Sequence, residues 1–149
     1  MRIRGSLTRE DVESLLEEAV IPLRIACQTP AANLWMLSLW FRYRDGRLLC
    51  ATSADADVVS YLEHDDRLAF EVSTNDPPYR GVRGHGRATI TPDPGKDLLR
   101  ELADRYLGSV ETPLARRLLS GDREEVTIEI EPAVVYGWDF TERMADSVE

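Results

Sequence analysis

One segment of the chain concentrates side chains that could bind an anion. Residues 79–91, YRGVRGHGRATIT, place three arginines and a histidine within eight residues and contain no acidic side chain. Glycines between them would let a ligand approach the backbone closely. The segment therefore predicts an anion site in a groove, although the same arginines could instead pair with carboxylates on neighbouring strands, such as Glu71.

The alternation of a strand would divide these side chains between two faces. Arg83, His85 and Arg87 would share one face, whereas Arg80 would point to the other. Glycines inside a strand are typical of a bulge or of a close ligand approach, and a bulge at one of them would change this division.

Other common kinds of site have little support in the sequence. His64, His85, Cys27 and Cys50 lack the spacing of metal ligands, so no metal site is predicted. No G-x-S-x-G motif indicates a catalytic serine. The glycines of residues 81–86 lie inside a predicted strand and open no helix, which argues against a dinucleotide-binding motif. No general acid or base can be singled out.

The charge and the absence of long apolar segments limit the partners and the location of the protein. The chain has 27 acidic and 18 basic residues, a net charge of −9, which argues against a general nucleic-acid binder. The longest uncharged run, residues 25–41, contains Pro30 and is not a membrane helix. The amino terminus lacks the apolar stretch of a signal peptide. We expect a cytoplasmic protein with one domain, residues 1–149, and frayed tails at 1–7 and 141–149.

The first half of the chain predicts a helix followed by strands. Thr8 and Asp11 form a capping-box pattern before a helix that ends by Pro22. Residues 34–43, LWMLSLWFRY, are apolar on both faces and predict one strand that is covered on both sides. The Asp45-Gly46 pair, residues 45–46, is a hairpin signal. Since hairpins dominate, we expect an antiparallel sheet that closes into a barrel.

The second half of the chain predicts three further helices. Ser53 would cap a short helix, Asp93 with the following proline would open the next, and Gly108 would end it. A last helix would span residues 113–119, and two strands would lie on either side of Pro132. Trp35, Trp40 and Trp138, all near strand ends, are predicted to lie in the core or at an interface, where a flat aromatic cofactor would also find walls.

The succession of these elements resembles a known family. LWMLSLWFRYRDGRLLCATS, then VVSYLEHDDRLAFEVS, then PPYRGVRGHGRATI, is similar to the pyridoxamine-phosphate-oxidase-like flavin-binding split barrels, over roughly residues 12–140. The resemblance implies a mainly β fold: a six-stranded antiparallel Greek-key split β-barrel with three to four peripheral helices. It also implies a homodimer that holds FMN, or in some branches a deazaflavin or haem, in grooves at the dimer interface.

The resemblance implies a set of cofactor-binding positions on four segments. They are Met36, Leu37, Ser38 and Trp40 behind the ring, Ala51, Thr52 and Ser53 at the phosphate, Arg80, Gly81 and Arg83 on the next strand, and Trp138 on the last strand.

One position departs from the pattern of the family. Family members usually carry Ser-Arg-Lys or a similar basic pair at the start of the short helix, where this chain has Ala56, Asp57 and Val58. Acidic side chains there would repel a phosphate. Three functions follow as hypotheses: an FMN- or deazaflavin-dependent oxidoreductase of unknown substrate, a non-enzymatic small-molecule-binding protein without tight FMN affinity, and a structural dimer.

Overall fold

The computed structural model describes residues 1–145. In this part of the chain it has eight strands and four helices. The strands are β1 (Arg2–Gly5), β2 (Leu23–Gln28), β3 (Leu34–Leu39), β4 (Phe41–Arg44), β5 (Arg47–Ser53), β6 (Arg67–Ser73), β7 (Arg80–Pro92) and β8 (Glu125–Asp139). The helices are α1 (Arg9–Glu18), α2 (Asp57–His64), α3 (Asp97–Leu107) and α4 (Pro113–Ser120).

The strands form one curled sheet in the order β3-β2-β6-β7-β8-β5-β4. Neighbouring strands that pair along this path are antiparallel, whereas β1 runs parallel to β8 beside it. The predicted mainly β fold with three to four helices is confirmed. The predicted number of six strands is wrong, because the amino-terminal residues add β1 and one predicted strand divides into two. The sheet is a half-barrel, with β3 and β4 at the two ends of the path.

The long strand predicted for residues 34–43 divides at Trp40. The part before Trp40 pairs with β2 and the part after it pairs with β5, so the chain changes partners at this residue. Only one face of β3 packs against the core. On its other face Leu34 is 82% exposed and Met36 is 64% exposed, so the cover expected on both faces is missing from the single chain.

Pro132 lies within one strand rather than between two. β8 pairs with β7 along its length, and the register shifts between His85 and Gly86, directly opposite Pro132. Because proline has no N–H to donate, a strand tolerates it at such an irregularity. The prediction of two strands on either side of Pro132 is therefore wrong. The shift places the extra residue, Ala133, in β8 rather than in the glycine-rich segment, and the register is unbroken at Gly81 and Gly84.

The first two helices begin differently. The Thr8 hydroxyl accepts a hydrogen bond from the Asp11 N–H at 3.1 Å, and the Asp11 carboxylate accepts one from the Thr8 N–H at 2.9 Å, which confirms the capping box of α1. α2 begins at Asp57 after Ala56, which offers no side-chain cap. The prediction that Ser53 caps this helix is wrong, since Ser53 ends β5.

The last two helices begin and end close to where they were predicted. α3 begins at Asp97 rather than at Asp93, but the Asp93 carboxylate still accepts the N–H of Leu98 at 3.1 Å. Gly108 ends α3 with φ +78°, a conformation in which glycine carries no side-chain penalty. α4 begins at Pro113, as predicted, and Thr112 before it caps the helix by accepting the Ala115 N–H on its side chain.

The main core lies between the concave face of the sheet and helices α1 and α2. Its largest fully buried side chains include Phe41, Leu16, Leu23, Ile25, Leu48, Leu62, Ile128, Ile130, Val12, Val58 and Val72. No helix in residues 1–145 is long and apolar enough to cross a membrane.

The ends of the chain differ from the predicted tails. Residues 1–7 are not a frayed tail, because β1 pairs with β8 from Arg2 to Gly5. Residues 141–145 form turns, in which the Met144 N–H donates to the Phe140 carbonyl at 2.8 Å. Residues 146–149, the rest of the predicted carboxyl-terminal tail, lie outside the described residues.

Candidate functional site

A cavity of about 300 Å³ lies where β3 meets β4, and we call it the junction cavity. β3 and β4 supply one wall, β5 supplies the next, and helices α3 and α4 close it with leucines. Its lining residues are Pro22, Ser38, Leu39, Trp40, Ala51, Thr52, Leu99, Leu102, Leu118 and Arg123. Four of the predicted cofactor-binding residues, Ser38, Trp40, Ala51 and Thr52, therefore meet in one place.

Trp40 is held in the wall of the junction cavity by α3. Its ring stacks on Tyr106 with the centroids 5.2 Å apart and the planes 9° from parallel. The Tyr106 hydroxyl donates to the Ile21 carbonyl at 2.9 Å and accepts from the Phe41 N–H at 3.2 Å. Burial raises the pKa of Tyr106, so this phenol stays neutral. A Trp ring fixed in this way gives the cavity a flat and rigid aromatic element.

The charged group at the junction cavity is Arg123, in the turn between α4 and β8. Its Nε donates to Oε1 of Glu125, whose side chain is fully buried. The sequence did not single out these two residues. Alternation along β8 would place Glu125 on the polar face with Thr127 and Glu129, so the periodicity of this segment gives no signal of its burial.

A second cavity, of about 460 Å³, lies on the convex face of the sheet, and we call it the outer-face cavity. It contains two more of the predicted residues, Met36 and Arg83. Its lining residues are Arg24, Ala26, Met36, Ala69, Phe70, Glu71, Arg83, Gly84, His85, Val134 and Tyr136. Met36 and Ser38 lie two positions apart on the same face of β3, so this strand connects the outer-face cavity with the junction cavity.

Arg83 lies over aromatic rings rather than beside a carboxylate. Its guanidinium carbon is 4.7 Å from the centroid of the Tyr136 ring and 5.2 Å from that of Trp138. Glu71, opposite Arg83 in the β6–β7 register, instead accepts a hydrogen bond from Ser73 at 2.9 Å. The alternative interpretation, an arginine paired with an acid, applies to Arg87, which contacts Asp66 at 2.6 Å.

The other predicted site residues lie outside both cavities. Leu37 packs against the core, and Trp138 is only 9% exposed. Ser53 accepts the Asp55 N–H on its hydroxyl at 3.3 Å. Arg80 lines a separate cavity of about 260 Å³ beside α1.

The glycines in β7 make room for neighbouring strands. A Cβ at Gly81 would lie 2.6 Å from the Cβ of Ser73, and one at Gly84 would lie 2.8 Å from Cζ of Phe70. Cross-strand packing therefore accounts for these two glycines without a ligand.

The start of α2 is not built as an anion site. Asp57 is exposed in the first turn, and Val58 is fully buried in the core. Neither lines the junction cavity. Val58, which the resemblance matches to one member of the basic pair, packs into the core, so neither position supplies a cation to a ligand at the surface.

Comparisons with known proteins found solved structures of similar fold. No family model and no curated protein matches the chain. An F420 reductase is 25% identical, with a TM-score of 0.71 over 86% of this chain and 98% of that one. A conserved hypothetical protein from Mycobacterium tuberculosis is 19% identical, with a TM-score of 0.72 over 91% and 86%. A FAD-binding protein from Mycobacterium smegmatis is 16% identical, with a TM-score of 0.61 over 90% and 98%.

Proposed function

We propose that this chain, a split-barrel protein of the pyridoxamine-phosphate-oxidase-like flavin-binding fold, binds a flavin-type cofactor in the junction cavity and acts as an oxidoreductase. The observation that carries the proposal is the convergence of Ser38, Trp40, Ala51 and Thr52 from separate strands on one cavity. The family resemblance of the sequence implied these residues at a cofactor.

The lining of the junction cavity fits a flat, mostly apolar ring that carries polar edges. The aromatic face of Trp40 and the leucines of α3 and α4 offer apolar walls. The hydroxyls of Ser38 and Thr52 can donate to carbonyl oxygens of the ring, and can donate to or accept from the hydroxyl groups of its side chain. A flavin or deazaflavin, when bound, supplies hydride or electron transfer. The chain supplies binding, orientation and exclusion of water.

A deazaflavin is the form of the cofactor that we favour over FMN. The start of α2 does not discriminate between the two, because FMN and F420 both carry a phosphate, and the acidic first turn, with Asp57 exposed and no side-chain cap at Ala56, provides no cation for either. The F420 reductase among the similar structures, at 25% identity, supports the choice of a deazaflavin.

We further propose that the functional unit is a homodimer, in which a second copy covers the outer-face cavity. About 300 Å³ is at the small end of the range of ligand cavities, so one chain offers only part of a cofactor site. Leu34, Met36 and Tyr136 expose apolar surface on the same convex face. A partner seated there would lie beside β3, the strand that both cavities share.

Cofactor titration with a blocked cavity tests the proposal. Ser38 is an exposed residue of β3, and the larger side chain of Ser38→Phe would occupy the junction cavity. The affinity for F420 and for FMN is therefore expected to fall by about tenfold or more. Thr89→Phe, at an exposed position of β7 that lines neither cavity, is the matched control and is expected to bind normally. Failure of the wild-type chain to bind either cofactor, or normal binding by Ser38→Phe, would contradict the proposal.

A non-enzymatic binding protein on the same fold is the second candidate. Apart from Arg123, the lining of the junction cavity has no ionisable side chain, so the chain itself offers no general acid or base there. Anaerobic mixing of the reduced, cofactor-loaded protein with a quinone separates the two functions. An oxidoreductase reoxidises its cofactor faster than the free cofactor reacts, and a binding protein does not.

A further inference from the structure

A buried carboxylate lies at the start of β8, directly after the turn that follows α4, and its burial needs a physical reason. Glu125 is the first residue of β8, and its side chain is fully buried. Among residues 1–145 it is the one charged residue that is buried. Burial of a carboxylate costs free energy unless it is paired and hydrogen-bonded. Arg123 pairs with Oε1, and Oε2 has no hydrogen-bond partner in residues 1–145.

The pairing leaves most of the guanidinium of Arg123 available. Only Nε is engaged by Glu125, and neither Nη group has a hydrogen-bond partner among the described residues. The two Nη groups form the fork that binds carboxylate or phosphate oxygens in pairs. The hydrogen bond from Nε to Glu125 fixes the plane of the guanidinium and leaves both Nη groups free to bind an anion.

The residue that carries this fork lies at the junction cavity. Arg123 lines the cavity together with Thr52, whose hydroxyl can add a hydrogen bond to the same anion. The backbone holds the two segments side by side, because the Ala54 N–H donates to the Glu124 carbonyl at 2.8 Å and Ser53 pairs with Glu125. Arg123 is also the one charged residue in the cavity lining.

We propose that Arg123 recognises the anionic phosphate of the bound cofactor and that Glu125 is a positioning residue that orients Arg123. This inference rests on the proposed function. It assigns phosphate recognition to the α4–β8 turn rather than to the start of α2, where Asp57 and the buried Val58 provide no cation. The negative charge of Glu125 also offsets that of Arg123 when no ligand is bound.

The test compares cofactors that differ only in the anionic group. FMN is titrated against riboflavin, and F420 against its phosphate-free deazariboflavin core, so that the ratio of affinities measures recognition of the anion. The wild-type chain is expected to prefer the phosphate-bearing member of a pair. Arg123→Ala is expected to lower this preference by about tenfold or more, with the affinity for the phosphate-free ring unchanged, since charge-assisted hydrogen bonds are the strong ones.

Variants of Glu125 separate positioning from stability. Glu125→Gln keeps an acceptor for Nε and is expected to retain the preference, whereas Glu125→Leu removes the acceptor and is expected to lose it. Arg47→Ala is the matched control, since it removes another arginine–glutamate pair, Arg47–Glu129 at 2.9 Å, from the neighbouring strands β5 and β8. This control is expected to leave the preference intact.

The possible results distinguish this inference from the proposed function. If Arg123→Ala keeps the wild-type preference, or lowers the affinity for both members of a pair equally, Arg123 is structural and the inference is overturned while cofactor binding stands. Equal wild-type affinity for both members of each pair also overturns it. If the wild-type chain binds none of the four compounds, the proposed function fails and the inference fails with it.

Discussion

At the scale of single residues, the arginines of β7 have different partners although they share one segment. Arg87 contacts Asp66, and Arg83 lies over the rings of Tyr136 and Trp138. The sequence could predict a local excess of positive charge but not which arginine meets an acid, because pairing depends on the side chains across the sheet. Glu71 lies opposite Arg83 in register and still bonds to Ser73.

Replacement of Arg83 is expected to change stability little. Within one chain, Arg83→Ala removes cation–π contacts at an exposed position, which contribute about 0.5–1 kcal/mol, so the free energy of unfolding of the single chain in urea is expected to fall by no more than about that amount. No carboxylate lies within ion-pairing distance of Arg83 in the described residues, so the variant leaves no buried charge unpaired. A loss of about 3 kcal/mol or more would indicate such a partner.

At the scale of elements, local signals were the most reliable. The capping box of α1, the Asp45-Gly46 hairpin of residues 45–46 and the stop of α3 at Gly108 are confirmed, because each depends on residues close in sequence. The division of residues 34–43 at Trp40 could not be predicted in the same way. It depends on β2 and β5, the two strands with which the segments pair.

The contact between α1 and β4 predicts a loss of stability at high pH. Tyr43 donates to Oε1 of Glu13 at 3.1 Å, and burial together with this bond raises the pKa of Tyr43 to about 12. An unfolded tyrosine has a pKa of about 10, so this contribution is complete below about pH 10 and is lost as the pH rises towards 12. Tyr43→Phe is therefore expected to lose less stability than wild type between these pH values.

Urea unfolding at neutral and at alkaline pH measures this difference. At neutral pH Tyr43→Phe is expected to lose about 1 kcal/mol, the usual net value of one hydrogen bond. Tyr79→Phe removes an exposed phenol and serves as the control, with the pH dependence of wild type expected. Identical alkaline profiles for Tyr43→Phe and wild type would show that Tyr43 is not coupled to folding.

At the scale of the whole molecule, the sequence predicted a split barrel, and the curled half-barrel confirms its class. The site was less predictable. Ser38, Trp40, Ala51 and Thr52 meet in the junction cavity, whereas Leu37 faces the core because side chains alternate along β3. Arg123 and Glu125 gave no sequence signal, since their roles depend on a turn that packs against the end of β5.

The exposed convex face predicts the oligomeric state. We expect a homodimer whose interface exceeds about 1,000 Å² and is centred near Met36. Met36→Asp places a charge in the apolar interface and is expected to give a monomer, whereas Thr89→Asp on β7 is expected to remain dimeric. Light scattering at micromolar concentration measures the mass, and a monomeric wild-type chain would refute the proposed homodimer.

A crystal structure of the chain with F420 or FMN at saturating concentration tests the central claim most directly. We expect the ring in the junction cavity, beside Trp40 and Ser38, with its anionic group towards Arg123. Density for the ring at another place, such as the Arg80 cavity beside α1, would contradict binding in the junction cavity. So would a junction cavity without the ring in crystals that contain either cofactor.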